Sequence, residues 1–381
     1  MNYIKKKIKD IIKYFLKDKV LAIALLLGTV SSILVGKWSM IPGFIDWHTL
    51  ILLFSLMAVM AGLQRLGFFL TTGSSLLRFT KTSRELVFVL VMLPFFFSML
   101  ITNDVALITF VPFALVVLSM AKRTDLVVMV VVLQTVAANM GSMMTPVGNP
   151  QNLYLYGISD IGLIGFLKLM APYAAVAFIF LTIAICIGKS EKIDRLEGMQ
   201  IHKKRETKDR VHMTVYIALF VVALAAVAKF ITGEFLLFIT VVAVVLTEKK
   251  VLKEIDYGLL LTFIGFFIFV GNMQQIQWFS EAVDRILQGR EVLTAIGASQ
   301  IISNVPAALL LSGFTDNIKG LIVGTNLGGL GTLIASMASL ISYKQIASNA
   351  PEHKGVYLVK FTAINLLLLG IMIGVYFVVG I

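Results

Sequence analysis

A single cysteine, Cys186, stands among 381 residues, which excludes a disulfide framework or a thiolate metal cluster. Charge is scarce: Asp, Glu, Lys and Arg make up 14% of the chain, against roughly a quarter in a soluble domain, so a soluble globule is excluded. The four histidines, His48, His202, His212 and His353, fall in or beside polar connections without metal-ligand spacing. No Gly-Lys-Ser/Thr phosphate loop is present to drive a primary pump, so an enzyme with nucleotide or metal chemistry is not expected. Alternation of apolar and polar residues, the mark of a membrane barrel, is missing as well: Leu86 to Leu93 and Val215 to Ala228 are apolar on consecutive positions. No small-residue cleavage site follows the first apolar run, which predicts a retained helix and not a removed signal peptide.

What the chain does have is apolar length. Runs of about 17–25 residues, enough to cross a hydrocarbon core of about 30 Å as helix, recur through the sequence. They cover 20–36, 49–70, 86–101, 105–120, 126–140, 162–188, 213–231, 235–247, 257–279, 292–314, 318–342 and 356–380. The fold class is an all-α polytopic membrane protein. Two places do not read as simple spans: Thr102-Asn103-Asp104 separates the third and fourth runs, and Ser303-Asn304-Val305-Pro306 interrupts 292–314. Polar backbone at membrane depth is tolerated where it is buried in protein or lines a cavity, so each break predicts a re-entrant hairpin. Treating both hairpins this way collects most of the 33 basic residues on one side, in segments 1–19, 71–85, 121–125, 189–211, 248–256 and 343–355. By the positive-inside rule that side is cytoplasmic, with the N-terminus inside and the C-terminus outside. The net charge of +12 is thus a topology signal.

Laid over one another, residues 45–69 and 255–279 match Ile45 with Ile255, Asp46 with Asp256, Leu50 with Leu260, Gln64 with Gln274 and Phe69 with Phe279. Each half continues with a hairpin carrying Thr102-Asn103 or Ser303-Asn304, then with Asn139-x-Gly141-x-x-x-Thr145 or Asn326-x-Gly328-x-x-x-Thr332. The assigned topology runs the halves in opposite directions, an inverted repeat of the kind secondary transporters use. The expected organisation is 1–44, basic segment and first helix; 45–188, first repeat; 189–211, basic linker; 212–254, connecting helices; 255–342, second repeat; and 343–381, loop and last helix.

Half-helices that end at mid-membrane offer free N–H groups or free carbonyls, and hydroxyl and amide side chains at such tips add neutral donors and acceptors. Four breaks of this kind, two per half, predict a shared site for a small polar solute and a coupling cation. Each break alone also fits a simple helix kink. Asp104, the lone carboxylate between Glu85 and Asp125, is read two ways, as an ion-coupling group and as a cap for the second hairpin arm.

On Leu100 to Leu107, Asn139 to Asn152 and Ser299 to Pro306 the sequence resembles the ion transporter superfamily. The resemblance is to its arsenite permease, NhaD-type antiporter and citrate permease branch, and in particular to bacterial YbiR-type anion permeases. It implies a homodimer with scaffold and elevator domains, in a bacterial inner membrane, moving a small inorganic or organic anion with H+ or Na+ and no other cofactor. Carried over residue by residue, it makes Thr102, Asn103, Asn149, Ser303, Asn304 and Asn326 substrate contacts. It makes Asp104, Thr145, Gly148, Thr325 and Thr332 ion-coupling residues, with Na+ at Thr102, Asn103, Gly148, Ser303 and Asn304. The related divalent anion symporters carry Ser-Asn-Thr at both tips. Thr-Asn-Asp and Ser-Asn-Val stand here, and an Asp beside the site suits a cation better than a dicarboxylate. A Na+/H+ antiporter or arsenite efflux permease is the alternative within the class, and a membrane scaffold or sensor without transport the alternative outside it.

Overall fold

The computed structural model describes residues 18–193 and 207–380. Most of the basic N-terminal segment and the middle of the 189–211 linker lie outside these. Among the described residues the chain is helical, with one isolated bridge between Thr82 and Lys192.

The first part of the chain runs α1 (Lys19–Val35), α2 (Trp47–Arg65), α3 (Phe68–Leu77), α4 (Ser83–Phe97), α5 (Asn103–Met120), α6 (Val127–Ser142), α7 (Pro150–Ile158) and α8 (Leu163–Ile187). The remainder runs α9 (Thr207–Val227), α10 (Gly233–Thr247), α11 (Tyr257–Met273), α12 (Gln277–Leu287), α13 (Glu291–Ile302), α14 (Asn304–Leu311), α15 (Ile318–Leu327), α16 (Met337–Asn349) and α17 (Lys354–Val379). From α2 to α8 and from α11 to α17 the elements follow in the same order. The starts are written alike too: Asp46 accepts from the Thr49 N–H and Asp256 from the Leu259 N–H, each capping the first helix of its half.

Among the described residues six helices are long and apolar enough to cross a membrane, and a seventh span is formed if α11 and α12, bent by 105° at 274–276, are taken together. That bend corrects the reading of 257–279 as one run. The matching run 49–70 breaks at Leu66-Gly67, where Gly67 takes a positive φ of 67°. Both bends lie at polar residues, Gln64-Arg65 just before one and Gln274-Gln275 within the other, which the reading of 49–70 and 257–279 as continuous runs passed over.

The first hairpin is α4 and α5, and its tip is 98–102. Thr82 and Glu85 form a capping box at its base, and Pro94 precedes its end. Both ends of the hairpin reach one residue: the Ser83 N–H donates to Glu191 O at 2.8 Å, and Arg123 pairs with Glu191 at 2.9 Å. The basic segments at 78–85, 121–125 and 188–193 therefore meet at one end of the molecule. Arg65, at the close of α2, likewise meets Glu248 and Glu254. On the other side Lys37 reaches Gln275 at 3.3 Å. From the hairpin tip, α7 continues for nine residues, about 13 Å at 1.5 Å per residue.

Small residues set the closest contacts. A Cβ on Gly141 would overlap the Phe95 carbonyl, and one on Gly328 would sit 2.6 Å from Ser299 Oγ, so each broken helix presses its glycine onto the first arm of its own hairpin. Gly141→Ala should cost about 1–3 kcal/mol through forced backbone displacement. Gly297→Ala, with nothing within 4 Å, should be neutral or stabilising. Thermal melts of the detergent-purified variants check both, and equal melting temperatures would remove the packing argument.

Two helix bundles can be traced from the contacts. In one, α1 packs along α11 while α9 and α10 pack on α2. The other holds the hairpins, the broken helices, α8 and α17. They touch chiefly where α2 meets α7 and α11 meets α14.

Candidate functional site

Helix starts leave backbone N–H groups without partners, and the two hairpins resolve this in the same way. Asn103 and Asn304 open the second arms, and each Oδ1 accepts from the next N–H, of Asp104 or Val305, at 3.0 Å. Their own N–H groups reach the unwound segment of the same half: Asn103 donates to Gly148 O at 3.1 Å and Asn304 to Ala335 O at 3.0 Å. The hydroxyls of Thr145 and Thr332 complete the seam by donating to the carbonyls of Met99 and Gln300, one turn before each tip asparagine. In the second hairpin a single residue makes the turn: Ser303 holds φ at 74°, a strained value outside glycine.

Between the halves the hydrogen bonds are reciprocal. Asn139 Nδ2 donates to Ser339 Oγ at 3.3 Å, and Asn326 Nδ2 donates to Asn152 Oδ1 at 2.6 Å. Ser336 Oγ donates to Asn139 Oδ1 at 3.0 Å, and Asn149 Nδ2 donates to Asn326 Oδ1 at 3.1 Å. With Asn139 laid on Asn326, Asn149 falls on Ser336 and Asn152 on Ser339, so each bond has a counterpart with the halves exchanged. That exchange is the signature of a two-fold relation. Asn103 Nδ2 joins the network by donating to Asn139 Oδ1 at 3.0 Å. All of these side chains are buried.

Of the residues expected in the site, Asn103, Asn149 and Asn326 enter this network. Thr145, Thr332 and Gly148 tie breaks to hairpins. Ser303 Oγ makes 3.4 Å contacts to Asn304 Oδ1 and Ala335 O. The Thr325 hydroxyl donates to Leu321 O within its own helix. Asn139, Asn152, Ser336 and Ser339 were not among the expected residues. Asn139 heads the repeated motif and was the legible signal; the serines carried none.

Beside the first tip lies a cavity of about 180 Å³ at the meeting of the two bundles. Met57 and Gln64 of α2, Thr102, Asp104, Asn149 and Asp256 line it. Asp104 is not the helix cap: Thr102 holds that position, and Asp104 sits in the first turn with a buried Oδ1 that has no hydrogen-bond partner. Its counterpart in the second half is Val305, and the hollow there is only about 10 Å³. The charged residues around the larger cavity are Asp104, Glu254 and Asp256. Asp256 is engaged as a cap, and Glu254 is paired with Arg65. The same guanidinium, 2.6 Å from Glu248, holds that carboxyl below its ordinary range. An anion entering here would meet carboxylates, and its charge would have to be offset by something bound with it.

Residues 13–319 match the family model for CitMHS citrate transporters. The inner membrane protein YbiR of Escherichia coli is 32% identical over 307 residues, covering 80% of this chain and 81% of its own. The uncharacterized transporter MJ0456 of Methanocaldococcus jannaschii is 33% identical over 307 residues, covering 79% of this chain and 81% of its own. The putative transporter arsB of Dictyostelium discoideum is 28% identical over 129 residues, 34% of this chain and 22% of its own. Broken helices, a buried polar network and a cavity between two bundles accord with a carrier, the family matched is one of transporters and not of enzymes, and the chain belongs to the CitMHS citrate transporter family.

Proposed function

We propose that the chain is a secondary active transporter that moves a small anion together with H+ or Na+, with Asp104 as the coupling carboxylate. The observation that carries this reading is Asp104 itself: a carboxylate that lines the cavity and keeps one buried oxygen without a hydrogen-bond partner, set beside a reciprocal asparagine network. An isolated charge in such surroundings is costly, and a proton or cation arriving with the substrate removes the cost. The cavity is smaller than the roughly 300–1,000 Å³ of drug-sized sites, which favours an inorganic oxyanion or a short carboxylate. Citrate enters the candidates through the family name and arsenite through the arsB relative, and the cavity size ranks the smaller solute ahead of the tricarboxylate.

The reciprocal bonds support a two-fold axis between the halves, and the clustering of basic segments at one end supports its lying in the membrane plane, which makes the repeats inverted. That end is then cytoplasmic, in a bacterial inner membrane. The boundary between the bundles is where an elevator would slide, with a homodimer as its anchor. A cation/proton antiporter is the second reading, favoured by the exclusively acidic charge around the cavity.

Proteoliposomes offered citrate, sulfate, arsenite or Na+ under an imposed pH or Na+ gradient should accumulate one of the anions in a gradient-dependent way. Cation flux without anion flux would favour the antiporter, and a folded protein silent in every arm would point to a scaffold. In the same preparations, with Cys186 replaced, cysteines at Asp160 and Gly289 should label from outside, and those at Lys81 and Asn349 only after permeabilisation. The reverse pattern would overturn the orientation.

A further inference from the structure

Unwound helices expose carbonyls, and the break after α15 exposes those of Gly328 and Leu330. Here they converge on one atom. Gln300 Nε2 lies 2.9 Å from Gly328 O, 3.0 Å from Leu330 O and 3.2 Å from Ile296 O. Gln300 Oε1 accepts from the Thr332 N–H at 2.9 Å, which fixes the amide orientation. An amide carries two hydrogens, which answer the two free carbonyls of the break, Gly328 and Leu330, while Ile296 O, the third oxygen, belongs to the ladder of α13. Three oxygens from two elements thus converge on one point at hydrogen-bond distance, and drawn in slightly they would surround a cation. The seat is built for this side chain: Gly331 holds φ at 103°, and a Cβ there would overlap Gln300 Oε1.

The first half solves the problem differently. Met99 stands at the matched position and has nothing to donate. There Gly141 O accepts from the Met144 N–H at 3.0 Å, and Met143 O faces Asn152 Nδ2 at 3.5 Å. The halves differ at the tips as well, with Asp104 opposite Val305.

We propose that Gln300 is a tethered substitute for a monovalent cation: its amide fills a carbonyl cradle in the second half that accepts Na+ once the amide is removed. The coupling cation is thereby confined to the Asp104 side. The inference deepens the transporter reading and rests on it only for that last step.

Its test is a melting experiment in detergent, with Na+ compared with choline, on the parent chain and on Gln300→Met and Gln300→Glu. Met matches the length of Gln and removes the donors, and Glu adds a charge that needs a cation. Na+ should raise the melting temperature of each variant by about 2–4 °C beyond any rise in the parent, with the larger increment in Gln300→Glu. Folded variants whose increments equal the parent's would reduce Gln300 to a structural staple and overturn the proposal. Should neither variant be recovered folded from choline, recovery in Na+ supports the cradle, and failure in both salts overturns it. Melting requires no transport, so a silent flux assay beside a Na+ increment would sink the transporter reading and leave the cradle standing.

Discussion

Asp104→Asn should yield a folded, inserted protein that equilibrates its substrate and no longer accumulates it. Asparagine keeps the size, and Oδ1 has no hydrogen bond to lose, so removing the charge removes little else. With Asp104 as the proposed coupling group, proton and cation should compete for one carboxylate in the parent, and flux should follow pH accordingly. A gradient of about 100 mV acting on one coupled charge is worth about 2.3 kcal/mol, roughly a 50-fold concentration ratio, and the variant should lose it. Its flux should also be flat with pH. Undiminished accumulation with an unchanged pH profile would show that the coupling ion is held elsewhere.

Asn326→Leu should both destabilise the protein and abolish flux. The Asn326 amide donates to Asn152 Oδ1 and to Ile322 O, and its oxygen accepts from Asn149. Leucine leaves these buried groups unmatched, at about 1–3 kcal/mol for each one that finds no water. The two-fold relation sharpens the test. Asn326 should couple with Asn152 by about 0.5–3 kcal/mol in a double-mutant cycle and Asn139 with Ser339 similarly, while Asn326 and Ser339 stay near additivity. Strong coupling in the crossed pair alone would contradict the hydrogen-bond assignment.

The helical class, the paired hairpins and the repeated Asn-x-Gly motif were legible because each rests on residue types with few alternatives at membrane depth. A Thr-Asn or Ser-Asn pair inside a long apolar run has to be explained, and the hairpin does so. Which residue of Thr102-Asn103-Asp104 caps the arm was not legible, since all three types favour that position and one residue of register decides it. The bends at Leu66-Gly67 and at 274–276 were signalled by Gln64-Arg65 and Gln274-Gln275, which a window averaged over a whole span dilutes with its apolar neighbours. Gln300 was overlooked inside Ser299-Gln300-Ile301-Ile302, where its partners, Gly328 and Leu330, belong to a different break. Partners that meet across the halves follow from the two-fold relation, which appears only when both members of each bond are seen.

The packing of α1 along α11 sets the order of assembly. Gly28 faces Gly265 so closely that a Cβ would lie 2.9 Å from the Gly265 carbonyl, and Asn272 Nδ2 donates to Ser31 Oγ at 3.1 Å and to Ser32 Oγ at 3.0 Å. During synthesis the first of these helices leaves the ribosome long before the second exists. Until α11 emerges, α1 must wait in lipid or in the insertion machinery with its serines and small-residue groove uncovered. The ribosome has then made most of the chain, including the whole first half. Biogenesis of this carrier is therefore governed by a late, long-range docking step, and a chain truncated before α11 should be a substrate for membrane quality control, however well its earlier helices insert.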